Sequence, residues 1–169
     1  MPFVERYDRL WVDENDYLRD RRGWFICYTD GSCKGNHQRG IRFSGSGVHF
    51  GYRKEIIRPC HTYNPRVSTN QHAELKAALL AIRHAEKYNL DRLQIRTDSQ
   101  FLIDMIPHRS YGGNMVSHLA EIVDEISYLM NYVDVEFVHV PAHRNENGND
   151  RADYLAKRAA DIHRERSLQ

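Results

Sequence analysis

The chain switches between two hydrophobic periods. Trp24 to Thr29 is a short apolar run of the kind a buried strand requires. Gly31 to Gly40 is rich in residues that favour turns and reads as a loop, which puts Asp30 at a strand end. Ser44 to Phe50 and Glu55 to Pro59 flank a turn containing Gly51 and read as a hairpin. The period then lengthens. Ala73, Leu75, Ala78, Leu79, Ile82 and Ala85 stripe one face of a helix over 71–88, capped by Thr69 or Asn70. Arg92 to Thr97 reads as a strand, and Ser99 opens a short helix expected to stop before Pro107. After the break at Gly112 and Gly113, the stripe Val116, Leu119, Val123, Ile126, Leu129 predicts a helix. Val133 to Val140 is a strand, Pro141 to Asn149 a polar loop, and 151–163 a last helix with Ala152, Leu155, Ala156 and Ala159 facing inward. The order βββαβααβα predicts an α/β domain with a five-stranded mixed sheet flanked by helices. Residues 1–22 are polar and charged and read as an N-terminal extension, partly helical. The main domain is expected over 23–164, with a short tail at 165–169.

Bulk properties narrow this little. A chain of 169 residues suffices for one domain with a real core. No apolar run is long enough to span a bilayer, so no membrane association is expected. The early acids Glu5, Asp8, Asp13, Glu14, Asp16 and Asp20 do not fit a signal or transit peptide. Three cysteines, an odd number, argue against a disulfide framework and for a reducing compartment. An intracellular protein, cytoplasmic or nuclear, is the expectation. The net charge of +1 hides an asymmetry. Residues 34–66 hold seven basic side chains against the single acid Glu55, while 99–142 hold Arg109 against six acids. The first stretch suits a polyanion and the second repels one, although solvated strand faces produce the same pattern.

Four acids in separate contexts change the picture. They are Asp30 in Tyr-Thr-Asp-Gly-Ser, Glu74 in Thr-Asn-Gln-His-Ala-Glu-Leu, Asp98 in Ile-Arg-Thr-Asp-Ser, and Asp153 in Gly-Asn-Asp-Arg-Ala-Asp. Open α/β sheets gather ligands at strand ends, so neighbouring strands would set Asp30 beside Asp98. Glu74 in a first helical turn and Asp153 in the last helix can close the group. Such a cluster is costly unless cations neutralise it. Its all-oxygen donor set suits Mg²⁺ or Mn²⁺ rather than zinc. Two such ions break phosphodiester bonds. His139 and His143 have an i, i+4 spacing, but Pro141 between them makes a helical zinc pair untenable.

Taken in order, these motifs resemble the type 1 ribonuclease H family, over about residues 24–163. The shared features are Thr-Asp-Gly-Ser, Asn-Gln-x-Ala-Glu, Thr-Asp-Ser and His-x-x-x-x-Gly-Asn-Asp-x-Ala-Asp. The resemblance implies the ribonuclease H-like fold and hydrolysis of the RNA strand of RNA–DNA hybrids, with two Mg²⁺ and Mn²⁺ as a substitute. It implies 5′-phosphate and 3′-hydroxyl products. Asp30, Glu74, Asp98 and Asp153 look like the metal-binding carboxylates, and His143 like the loop histidine tied to proton handling or product release. Asn36, Asn70 and Gln71 match polar positions that contact ribose hydroxyls in the minor groove, and Asn70 also suits a helix cap. Thr69 matches a phosphate-pocket threonine. Phe101 matches a DNA-channel aromatic, or buries against the sheet. Gly31, Ser32, Cys33 and Ser99 adjoin the carboxylates where substrate would pass. The expected partner is a hybrid duplex, with no small-molecule cofactor, and a monomer suffices.

The chain departs from the family pattern in three places. Many members carry a basic handle rich in lysine and tryptophan where residues 107–115 read Pro-His-Arg-Ser-Tyr-Gly-Gly-Asn-Met. Arg109 stands at a channel tryptophan, and Val67 at a phosphate-pocket arginine. No hybrid-binding domain is recognisable in residues 1–22. These differences keep two rivals open: a nuclease that also cuts double-stranded RNA, and a non-catalytic hybrid-binding module.

Overall fold

A computed structural model describes residues 9–36, 41–60, 69–108, 117–141 and 147–169. Its strands are β1 (Trp11–Val12), β2 (Leu18–Arg19), β3 (Phe25–Asn36), β4 (Ile41–Gly51), β5 (Lys54–Pro59), β6 (Arg92–Thr97) and β7 (Asp134–His139). Its helices are α1 (Asn70–Lys87), α2 (Gln100–His108), α3 (Ser117–Leu129) and α4 (Asn147–Ser167). The five long strands form a mixed sheet in the order β5-β4-β3-β6-β7. β3, β4 and β5 are antiparallel, while β6 and β7 run parallel to β3. From β3 onward the element order is the βββαβααβα read from the sequence.

Four boundaries differ from the sequence reading, each for a physical reason. β3 does not end at Asp30. It continues to Asn36, because Tyr28 through Asn36 pair in register with His49 back through Ile41. Cross-strand pairing there overrides the turn-like composition of Gly31-Ser32-Cys33-Lys34-Gly35. α2 passes Pro107 by one residue, with the proline confined to the last turn. α4 begins at Asn147, inside the stretch read as a loop, and runs through the residues read as a tail. The segment read as a partly helical extension instead forms the β1–β2 hairpin over its described part.

That hairpin is built into the sheet. β2 pairs Leu18 with Ile26 and Arg19 with Phe25, on the edge of β3 opposite β6. Leu10, Leu18 and Trp24 pack on a small core of Ile26, Tyr28, Val140 and Ala152. Arg22 bonds Asp20 and reaches Glu136 on β7. Tyr17 sits in the main core, edge-on to Phe25 and Phe50, and its hydroxyl lies 2.8 Å from His84 Nε2 of α1.

The main core lies between the sheet and α1, α2 and α3. Leu75, Leu79, Ile82, Leu93, Ile95, Leu102, Val123 and Ile126 are fully or almost fully buried there. α4 covers the other face, chiefly across β3 and β4. Its approach requires glycine: a Cβ on Gly45 would fall 2.3 Å from Ala160 N, and one on Gly47 2.6 Å from Ala156 N. Two further contacts fix the helix along its length. Arg151 forks onto both carboxylate oxygens of Glu55 on β5, at 2.7 and 2.8 Å, and Glu55 also meets the buried His49. Near the other end, the backbone N–H of Ser44 donates to His163 Nδ1 at 3.0 Å. All three cysteines are free thiols. No helix among the described residues is long and apolar enough to cross a membrane.

Candidate active site

The site follows from the register of β3 and β6. Tyr28 pairs with Arg96, so two residues further along these parallel strands Asp30 and Asp98 come side by side. Asp98 leaves the end of β6, held by a turn in which the Ser99 N–H donates to Thr97 Oγ1. Asp30 lies within β3, opposite Gly47 of β4. Glu74 comes from α1, which is pressed onto β3 so closely that a Cβ on Gly31 would sit 2.4 Å from the Glu74 backbone nitrogen. Glu74 is the fifth residue of that helix, at the start of the second turn rather than in the first. It therefore owes its place to packing rather than to the helix dipole.

One ligand oxygen from each of Asp30, Glu74 and Asp98 lies within 4.8 Å of the others. Asp153, on the second turn of α4, adjoins Asp30 from the other face of the sheet, close enough to disfavour its ionisation. Three of the four expected carboxylates thus form one group, and the fourth adjoins it through Asp30. The electrostatics match the crowding. Burial first, then the neighbouring Asp98 and Asp153, push the Asp30 carboxyl up to about 8, against a partial offset from the Gly31 N–H. Burial, Asp30 and Asp98 push Glu74 up to about 9. Glu74 Oε2 is buried with no hydrogen-bond partner. A buried acceptor without a donor is costly. A hard cation would satisfy it, and the oxygen-only donors fit one. The residues present therefore fit a divalent metal.

The other expected site residues divide into groups. Gly31, Ser32 and Cys33 continue β3 beyond Asp30 and are half-buried. Asn36 ends that strand. Asn70 and Gln71 open α1 and are exposed. Thr69 is the N-cap of that helix, its hydroxyl accepting the His72 N–H at 3.1 Å. Ser99 does the same for α2, accepting the Leu102 N–H at 3.2 Å. Phe101 is half-buried and packs against the main core. His143, Val67 and Arg109 lie outside the described residues. The sequence reading missed Lys157. Its Nζ stands 2.9 Å from Asp153 Oδ2, and the i, i+4 spacing on α4 was the available signal. It also missed the Arg151–Glu55 clamp, whose partners are far apart in sequence.

Fold and site together define an α/β domain with a partly buried acidic cluster whose oxygen donors fit a divalent cation. The RNase H family model matches residues 23–161, and the chain belongs to that family. It is 33% identical over 173 residues to human ribonuclease H1, covering 94% of this chain and 57% of the relative. It is 32% identical over 144 residues to ribonuclease H of Prosthecochloris aestuarii, covering 79% of this chain and 93% of the relative. The structure superposes on RNase H1 of the archaeon Halobacterium salinarum with a TM-score of 0.63 at 24% identity, covering 81% and 97% of the two chains. The chain spans about half the length of the mammalian relatives it matches. The family uses divalent metal, and an acidic triad of Asp30, Glu74 and Asp98 is present in this chain.

Proposed function

We propose that this protein is a metal-dependent endonuclease that hydrolyses the RNA strand of RNA–DNA hybrids, leaving 5′-phosphate and 3′-hydroxyl ends. The convergence of Asp30, Glu74 and Asp98 within 4.8 Å carries the proposal. The four carboxylates would hold two Mg²⁺, with Mn²⁺ able to substitute because it shares the preference for oxygen donors. When bound, such ions lend Lewis-acid charge to the scissile phosphate and make water a competent nucleophile near neutral pH.

The protein's own residues do the rest. Asp30 is central, grouped with Glu74 and Asp98 on one side and adjoined by Asp153 on the other, so it would help hold the ions. The β3–β6 register fixes Asp30 and Asp98 as a pair. The motif match assigns Asn36, Asn70 and Gln71 to contacts with ribose hydroxyls, and the exposure of Asn70 and Gln71 at the start of α1 is compatible with it. Such contacts separate RNA from DNA without reading sequence. His143 is assigned to proton handling or product release on the motif alone.

A labelled hybrid incubated with Mg²⁺, with EDTA, and beside a matched RNA duplex tests this. Metal-dependent cutting of the hybrid alone is expected. Equal cutting of both duplexes would favour the relaxed nuclease, for which Val67 and Arg109 are the sequence argument. No cutting of either would favour the binding module.

A further inference from the structure

Among the described residues, Asp153 is the only one of the four carboxylates with a cation in ion-pair contact. Lys157 Nζ lies 2.9 Å from its Oδ2, one helical turn along α4. Asp30, Glu74 and Asp98 have one another, and Glu74 keeps a buried oxygen with no partner. The lysine is thus a single positive charge at the rim of an acidic group. It is also free to leave. Its side chain is 53% exposed and Asp153 is 33% exposed, so the head can move into water while the stem stays along the helix.

A divalent ion on Asp153 would sit within a few ångströms of the Lys157 ammonium, and like charges at that range repel. We propose that Lys157 is an exchangeable counter-cation of Asp153, orienting this carboxylate while the site lacks metal and yielding it when a divalent ion arrives. Lys157 is then a positioning residue that acts through Asp153. The inference rests on the metal-site reading above and deepens it. Its consequence is that the lysine weakens metal binding at Asp153, because its charge repels the ion. An exposed pair of this kind is worth little, so the effect is a modest factor.

The test is titration of the protein with Mn²⁺ alone, followed by electron paramagnetic resonance, with no nucleic acid present. Lys157→Met is expected to tighten the weaker of the two Mn²⁺ sites about two- to five-fold. Lys157→Arg, which keeps the charge, is expected to bind like the wild type. In EDTA, Lys157→Met is expected to melt lower than the wild type, and saturating Mn²⁺ to remove the difference. Unchanged or weaker Mn²⁺ binding by Lys157→Met overturns the counter-cation role, as does tightening by Lys157→Arg to the same degree. Wild-type protein that binds no Mn²⁺ would instead contradict the metal-site reading, so the two failures are distinguishable.

Discussion

At the scale of the residue, function and stability pull in opposite directions. Asp30 and Glu74 stay protonated far above the ordinary carboxylate range, up to about 8 and about 9, because burial and their neighbours oppose ionisation. In the unfolded chain both ionise near pH 4. Between those limits the folded state holds more protons than the unfolded one, so stability falls as pH rises. Metal-free protein should therefore melt lower at pH 8 than at pH 5, and Mg²⁺ should narrow the gap; a flat profile would contradict the crowding. Asp98→Asn removes a neighbouring charge from both groups. It should raise the melting temperature in EDTA at pH 8 by about 2–4 °C for each kcal/mol of repulsion relieved. The four acids were legible in the sequence because each sits in a distinctive local context. Lys157 was less legible, since an i, i+4 pair on a helix is usually a solvated surface contact.

At the scale of the element, the site depends on close contact between helices and backbone. α1 sits on Gly31 and α4 on Gly45 and Gly47. Gly47→Val should destabilise the fold by at least about 1–3 kcal/mol, the usual cost of overpacking, as read by urea melts. Wild-type stability in that variant would show that α4 can shift without loss. The β1–β2 hairpin is a second case. Its aromatic contacts to α1 and its link from Arg22 to Glu136 tie it to both sides of the sheet. Removing residues 1–22 should lower the melting temperature measurably although they lie outside the family match; no change would mark the hairpin as an ornament. Periodicity exposed the helices and β6, whose apolar patterns are strong. It could not expose two-residue strands, which carry no period. It also ended β3 early, because the six residues after Asp30 include two glycines, a lysine and an asparagine, which favour turns until β4 supplies their partners.

At the scale of the whole molecule, charge should decide how substrate is held. The proposed duplex would be attracted by the basic stretch 34–66 and repelled by the acidic stretch 99–142. Neutralising exposed Arg58 together with Arg66 should weaken hybrid affinity and reduce the slope of log affinity against log salt by about one for each phosphate that is no longer neutralised. An unchanged slope would move the grip elsewhere. The same two faces of the sheet bring α1 and α4 to one point, and the carboxylate cluster is the result. The most direct test of that cluster is paired measurement of hybrid cleavage and hybrid binding by Asp98→Asn in Mg²⁺. Cleavage should fall by at least about 100-fold, a typical loss for a single group that stabilises transition-state charge, while binding stays near the wild-type value. Cleavage at the wild-type rate would contradict the assignment of Asp30, Glu74, Asp98 and Asp153 as the catalytic metal site.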